Sequence, residues 1–311
     1  MRTPPHDTCC VVVGAGIGGV NAALWLRDLR VPFQWFERAQ VGGLLWKVRN
    51  PIENASGGVY PEGGARLVEE HVAQLRALGD LWPQPREVQS IEIDAQGATL
   101  SFAHHGALRA RFVILATGTR ARRLNIPGED GPRVFRSASA HAQEVQGQEV
   151  AVVGGGDAAL EGALILARHG CTVHLLCRSA PTGARPSFVE QAGQHPRVRM
   201  WPIPTVVEAL EPHSDSVRAR LLTQARAHQL DVHAVFVRIG VEPVLPALSV
   251  TPALDARGYV QVDADQRSTL EPIFAVGDLS AHPLQAIVKA AGDGARAAHA
   301  VARQAGYVAG A

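Results

Sequence analysis

The chain has 311 residues, 46% hydrophobic and 19% charged, with 30 basic side chains against 29 acidic ones and a formal net charge of +1. At that length about two domains with sizeable cores are expected, and the balanced charge excludes the strongly basic surface of a nucleic-acid binder. No apolar run approaches the ~20 residues that span a bilayer, and the start MRTPPHDTCC is not a secretory signal, so a cytoplasmic protein without a membrane partner is expected.

The first element is an apolar strand, Cys9 to Val13, running into Gly14-Ala15-Gly16-Ile17-Gly18-Gly19 and a helix to about Leu29. A second strand, PFQWF, ends at Glu37. Glycines at this spacing permit a tight turn and close backbone approach, and the helix start offers N–H groups and positive dipole to a pyrophosphate. Glu37 lies 23 residues after Gly14, where an acid at a strand end can accept from both ribose hydroxyls. Strand, loop, helix, strand and acid together predict dinucleotide binding. Next comes an amphipathic helix over 64–78, with Leu67, Val68, Val72, Leu75 and Leu78 on its core side. Short alternating strands follow from Arg86, and a buried strand closes on Ala116-Thr117-Gly118.

The stretch FRSASAHAQ, from Phe135, carries no evident chemistry. Directly after it the first pattern recurs: a strand, Gly154-Gly155-Gly156-Asp157-Ala158-Ala159, a helix to about His169, and a strand Thr172 to Cys177. Alanine is permitted at the third glycine position. This second strand ends in Cys177-Arg178-Ser179, without an acid. Arginine can pair with a ribose 2′-phosphate that an acid would repel, which favours NADP(H) over NAD(H), with Arg185 as a second phosphate contact. Both arginines also read as solvated loop residues. Near the carboxyl end, Ile273 to Asp278 is a strand ending in Gly277-Asp278, followed by a helix with small residues on one face. Its N-terminus can face an anionic ring oxygen.

The four cysteines stand at 9, 10, 171 and 177, so no Cys-x-x-Cys occurs. Cys171 and Cys177 would lie about 20 Å apart along an extended strand, too far to bridge, and all four are expected as buried small hydrophobes. The histidines, including His104-His105 and the His169/His174 pair, form no metal pattern, and no metal is expected. Of the basic residues only Lys47 and Lys289 are lysines. Seven arginines fall between Arg109 and Arg136 against Glu129 and Asp130, readable as a docking surface for an acidic carrier or as a solvated hinge region.

Over nearly its whole length the chain resembles the low-molecular-weight thioredoxin reductase family of flavoproteins. The matching pieces are GAGIGG, GGLL (42–45), IENASGGVYPEGG (52–64), ATG (116–118), GGGDAA (154–159) and IFAVGDLSAHPLQAIVKAAGDGARAA (273–298). The resemblance implies an α/β fold of two Rossmann-like dinucleotide-binding domains. The FAD domain is discontinuous, 1–118 and 242–311, with the NAD(P)H domain inserted as 119–241, and a homodimer is expected. It implies FAD contacts at Gly14, Gly16, Gly18, Gly19, Glu37, Gly43, Leu44, Asn54, Val88, Ala116, Thr117, Gly118, Gly277, Asp278, Gln285, Ala286 and Ile287. It implies NADPH (or NADH) contacts at Gly154, Gly156, Asp157, Ala158, Arg178 and Arg185.

Several positions depart from the family pattern. Members that reduce thioredoxin carry a Cys-x-x-Cys and an Asp; here Ser137, 17 residues before Gly154, and Ala140 take the cysteine positions and His141 that of the aspartate. A serine and an alanine form no disulfide, so a thioredoxin reductase of this type is not expected. The H-R-R clamp is Cys177-Arg178-Ser179, the R-Q pair is Gln285-Ala286, and the glutamine of G-G-Q-L is Leu44. Gly18 stands where the bacillithiol disulfide reductase branch has a cysteine. The expected activity is an FAD-dependent NAD(P)H oxidoreductase passing electrons to an external acceptor, favoured as a ferredoxin- or flavodoxin-type carrier, as in the thioredoxin reductase-like ferredoxin/flavodoxin–NADP reductases. Those enzymes often carry a carboxyl-terminal aromatic extension, whereas this chain stops soon after Tyr307. One alternative is a flavin reductase or oxidase, or a reductase of small disulfides, with His141 as candidate proton donor and His282 of similar standing. Another is an FAD-binding protein that no longer uses NADPH and docks to a partner.

Overall fold

A computed structural model describes residues 7–49, 51–55, 57–79, 81–103 and 106–309. His104 and His105 lie outside the described residues. The chain forms two compact units, Met1–Arg120 with Glu242–Ala311, and Ala121–Val241.

The first unit begins with β1 (Thr8–Val13), α1 (Ile17–Asp28), β2 (Phe33–Glu37), α2 (Gly64–Ala77) and β3 (Gln84–Pro85). It continues through β4 (Val88–Asp94), β5 (Gly97–Phe102) and β6 (Ala107–Leu115), and the chain leaves it along β7 (Thr119–Ala121). It returns along β16 (Val241–Pro243), then adds β17 (Ala247–Leu248), β18 (Ile273–Ala275) and α6 (Ile287–Ala305). The sheet runs β17-β4-β5-β6-β1-β2-β3, with β18 parallel to β6 through Ile273–Val113 and Ala275–Leu115. The β4-β5-β6 meander is antiparallel, while β1 is parallel to both β2 and β6. A continuous apolar run such as CVVV fits β1 because both faces of the strand are covered. Cys10 and Val12 join a core with α1 and the alanines of α6; Val11 and Val13 join another under the meander. Leu67, Val68 and Leu75 of α2 are buried, as its apolar spacing requires. Each such side chain contributes about 2 kcal/mol through burial.

The second unit contains β8 (Val134–Phe135), α3 (Ala138–His141), β9 (Glu149–Val153), α4 (Asp157–Arg168) and β10 (Thr172–Leu176). α5 (Pro186–Gln194) and β11 (Val198–Met200) follow, then the antiparallel β12 (Thr205–Pro212), β13 (Val217–Thr223) and β14 (Arg226–Val232), and finally β15 (Ala234–Val237). Its main sheet, β11-β10-β9-β15-β8, is parallel at every pairing. Every carboxyl end of these strands therefore lies on one edge, where open α/β sheets bind ligands. The inside/outside alternation of β12 and β13 suits a three-stranded sheet with one covered face.

No helix among the described residues is long and apolar enough to cross a membrane.

Candidate functional site: two glycine loops

Each unit places a glycine loop between its first parallel strand and the helix that follows. In the first, Gly14 has φ +103°, a conformation costly for any side-chain-bearing residue, and a Cβ there would collide with the Ala116 carbonyl. At Gly19 a Cβ would overlap the Gly14 carbonyl, so α1 packs directly on the turn. At Gly16 a Cβ would meet nothing within 4 Å. The loop is thus crowded where it touches its own unit and bare at the glycine that in a dinucleotide fingerprint would lie against a pyrophosphate. The second loop repeats this: Gly154 has φ +137° and abuts the Arg238 carbonyl, while Gly156 faces open space. Ala159 takes the third position with its methyl fully buried. No side chain caps the N-termini of α1, α4 or α6, whose caps are Gly16, Gly156 and Ala286. These bare donors fit a dinucleotide at each loop.

In the first unit the structure gathers most of the residues assigned from sequence. Glu37 closes β2 beside the loop, its carboxylate accepting from Ala15 N at 2.6 Å and Ala39 N at 2.8 Å. Gly43 starts a short 3₁₀ turn, Gly43–Lys47, and a Cβ on it would lie 3.5 Å from the Gly16 Cα. Leu44 in the same turn is exposed. Ala116 lies beneath Gly14, Thr117 donates its hydroxyl to the Val244 carbonyl, and Gly118 O accepts from Val244 N at 2.9 Å. On the far side of α1, a Cβ at Gly18 would meet the Val276 side chain at 3.0 Å and Gly277 N at 3.5 Å. Val88 is buried at the start of β4 and packs in the core that contains Phe36. Asn54 and Gln285 are exposed, and Ile287 is half-buried beside Ile17 and Ala290.

Behind the Gly277-Asp278 turn is a buried polar cluster that the sequence reading missed. Lys289 Nζ donates to Gly277 O at 2.7 Å and Ser280 Oγ at 2.6 Å, and pairs with Asp293 at 2.8 Å. Asp293 is fully buried and also accepts from Gly277 N and from Arg296. Lys289 and Asp293 stand four residues apart on α6, a spacing legible in sequence as an ion pair but not as a buried one. Burial raises the Asp278 carboxyl above the ordinary carboxylate range; Lys289 opposes that rise and Asp293 adds to it.

In the second unit Asp157 opens α4, and its carboxylate accepts from Arg185 N at 2.7 Å and Arg185 Nε at 2.8 Å. The Arg185 guanidinium also lies 4.2 Å above the Phe188 ring. The arginine assigned to a phosphate is thus engaged with the acid of its own loop. Ala158 accepts from Arg238 through its carbonyl. Arg178 is exposed two residues beyond β10. His141 stacks on Phe135 with ring centroids 4.2 Å apart and pairs with Glu144 at 3.0 Å. His282 accepts from Leu284 N in an exposed loop.

Ser137 caps the four-residue α3 by accepting from Ala140 N at 3.3 Å, and Ala138 packs against Gly162 of α4. All four cysteines are free thiols. Cys10, Cys171 and Cys177 are buried, and burial raises each thiol above its ordinary value, as it does the less buried Cys9. Among the described residues no group of three or more metal-ligating side chains converges.

The arginines of 109–136 are mostly paired. Arg109 is bidentate with Asp94, Arg120 bonds Glu242 at 2.7 Å, Arg123 pairs with Asp130, and Arg133 lies 3.7 Å from Asp215. Arg136 pairs with Glu129. Arg111 donates to the Gln304 carbonyl and Arg122 to that of Val241.

The family model for pyridine nucleotide-disulphide oxidoreductases matches residues 8–303. The chain belongs to this family. Its relatives include the bifunctional thioredoxin reductase/thioredoxin of Mycobacterium leprae, 32% identical over 96% of this chain and 67% of that protein. The thioredoxin reductase of Treponema pallidum is 30% identical over 95% of this chain and 96% of its own length. Among solved structures, Lactococcus lactis thioredoxin reductase superimposes with a TM-score of 0.82 at 26% identity, covering 97% of this chain and all of that one. This pyridine nucleotide-disulphide oxidoreductase thus has the two-domain α/β architecture expected from its sequence, and its general chemistry is oxidoreduction.

Proposed function

We propose that this oxidoreductase binds FAD at the first glycine loop and NAD(P)H at the second, and passes electrons to an external acceptor without a protein disulfide. The observation that carries this reading is the segment 137–141. The hydroxyl of Ser137 caps a helix, Ala140 has no reactive group, and the four thiols elsewhere are unpaired and raised by burial. A bound flavin supplies the conversion of one two-electron hydride into two single electrons. Around it, Glu37 would accept from ribose hydroxyls beside the loop whose Ala15 N–H it already holds, and the uncapped start of α6 would offer N–H groups to an anionic ring. Arg178 without a neighbouring acid supports NADPH as the donor.

A one-electron carrier protein of the ferredoxin or flavodoxin kind is the acceptor we favour. A second reading, a small acceptor such as a quinone, dioxygen or a low-molecular-weight disulfide, is favoured by one observation: most arginines of 109–136 are neutralised, leaving less positive surface for an acidic carrier. Steady-state NADPH oxidation tests both readings against ferredoxin, flavodoxin, oxidised thioredoxin, glutathione disulfide and menadione, before and after alkylation of the NADPH-reduced folded protein with iodoacetamide and removal of the reagent. Turnover with a carrier that survives alkylation is expected. Efficient reduction of thioredoxin, abolished by alkylation, would overturn the disulfide-free reading.

A further inference from the structure

The parallel sheet of the second unit delivers arginines to its carboxyl edge from three strands. Arg136 directly follows β8, Arg238 directly follows β15, and Arg178 stands two residues past β10. The strand order β11-β10-β9-β15-β8 sets them on opposite sides of the glycine loop that follows β9. Arg178 is on the β10 side, where a Rossmann unit holds the adenosine ribose; Arg238 is on the β15 side, across the switch point.

Arg238 is tied closely to the loop. Its backbone N donates to Val153 O at 2.8 Å, and its own carbonyl abuts Gly154. Its half-buried guanidinium donates through Nε to the Ala158 carbonyl at 3.3 Å, in the first turn of α4, and through Nη1 to the Arg136 carbonyl at 2.5 Å. Those two acceptors are neutral carbonyls, and the charge of Glu161 helps to keep the guanidinium protonated. Burial lowers its pKa from the ordinary arginine value, a sign that the cation is held at a cost in hydration. A strand-end position needing only packing is filled at lower cost by an apolar side chain, and the preceding run AVFV is wholly apolar and buried. The planar fork fixed by two carbonyls keeps further N–H donors in a defined direction, the geometry that suits a phosphate.

We propose that Arg238 holds the nicotinamide-side phosphate of the pyridine nucleotide, complementing Arg178 on the adenosine side. This rests on the reading that the second loop binds NAD(P)H. It also gives a loop whose own Arg185 is engaged with Asp157 a second source of positive charge.

Calorimetric titration of the oxidised holoprotein with NADP⁺, NAD⁺ and 2′,5′-ADP tests the assignment without turnover. The last probe carries the 2′-phosphate and the adenosine-side phosphate but lacks the nicotinamide half. Arg238→Met is expected to weaken NADP⁺ and NAD⁺ equally, by roughly tenfold, and to leave 2′,5′-ADP within about twofold. Arg238→Lys, which keeps the charge but loses the fork, should fall between and serves as the reading if the methionine variant does not fold. Unchanged binding of all three probes, or equal loss of all three, would overturn the inference while leaving the second loop a nucleotide site. Failure of the wild-type protein to bind any probe would instead sink the nucleotide reading, and this inference with it.

Discussion

The two glycine loops are built on one plan, and two of their differences carry the contrast between them. In the first, the third glycine is Gly19, where a Cβ would overlap the Gly14 carbonyl; in the second it is Ala159, whose methyl is accommodated and fully buried. The first strand pair ends in Glu37, bonded to the backbone of its own loop, and the second in exposed Arg178. The first loop therefore has no room for a side chain at its third glycine and ends beside an acceptor. The second tolerates a methyl and presents a donor. One plan with opposite electrostatic ends is what two different dinucleotides require.

The sharpest way to break this comparison is to exchange the third residues. Gly19→Ala should destabilise the first unit by about 4 kcal/mol and abolish cofactor retention, because a backbone carbonyl has nowhere to move. Ala159→Gly in the second unit should cost only about 1 kcal/mol. Thermal unfolding together with absorbance of the released cofactor would check both, and similar losses at the two sites would break the contrast.

Next in size is a charge that belongs to the second unit alone. Glu129 is buried; burial opposes its ionisation, yet the N–H groups of Leu124 and Asn125 and the Arg136 guanidinium outweigh that and hold its pKa below the ordinary value. Glu129→Gln should cost about 3 kcal/mol at neutral pH, since it strands Arg136. A folded pKa below the unfolded one gives stability that is full above about pH 4.3 and is lost as pH falls through the folded value. The gap between wild type and variant should accordingly shrink in acid, which denaturant titrations at pH 7 and below pH 4 would show.

A smaller effect tests the contrasting strand ends. Arg178→Met should weaken NADP⁺ by roughly tenfold and leave NAD⁺ unchanged, because only the former carries a 2′-phosphate. Glu37→Gln should loosen FAD without altering that ratio. The smallest effect is expected at Arg185→Ala: its ion pair with Asp157 is largely solvent-exposed, so stability should change by no more than about 0.5 kcal/mol.

Much of this was legible because local chemistry set it. The strand–loop–helix pattern of GAGIGG and GGGDAA required little from the rest of the chain, and the α2 stripe of Leu67, Val68 and Leu75 announced its buried face. What was hidden depends on neighbours distant in sequence. The arginines of 109–136 read as a charge cluster, but their partners include Asp94, Asp215 and Glu242, which only the folded chain brings to them. Arg185 looked available until the turn after β10 carried it to Asp157. Lys289 and Asp293 showed helical spacing without revealing that both lie under the Gly277 turn. Arg238 carried a faint signal, a lone cation at the end of an apolar strand, whose meaning depends on the strand order.

The central claim, that one loop holds a flavin and the other a pyridine nucleotide that reduces it, is tested most directly by anaerobic stopped-flow absorbance. The purified protein, reconstituted with FAD, is mixed separately with NADPH and NADH. The account expects rapid bleaching of the flavin band near roughly 450 nm, faster or at lower concentration with NADPH. Retention of FAD with no bleaching by either nucleotide would contradict it.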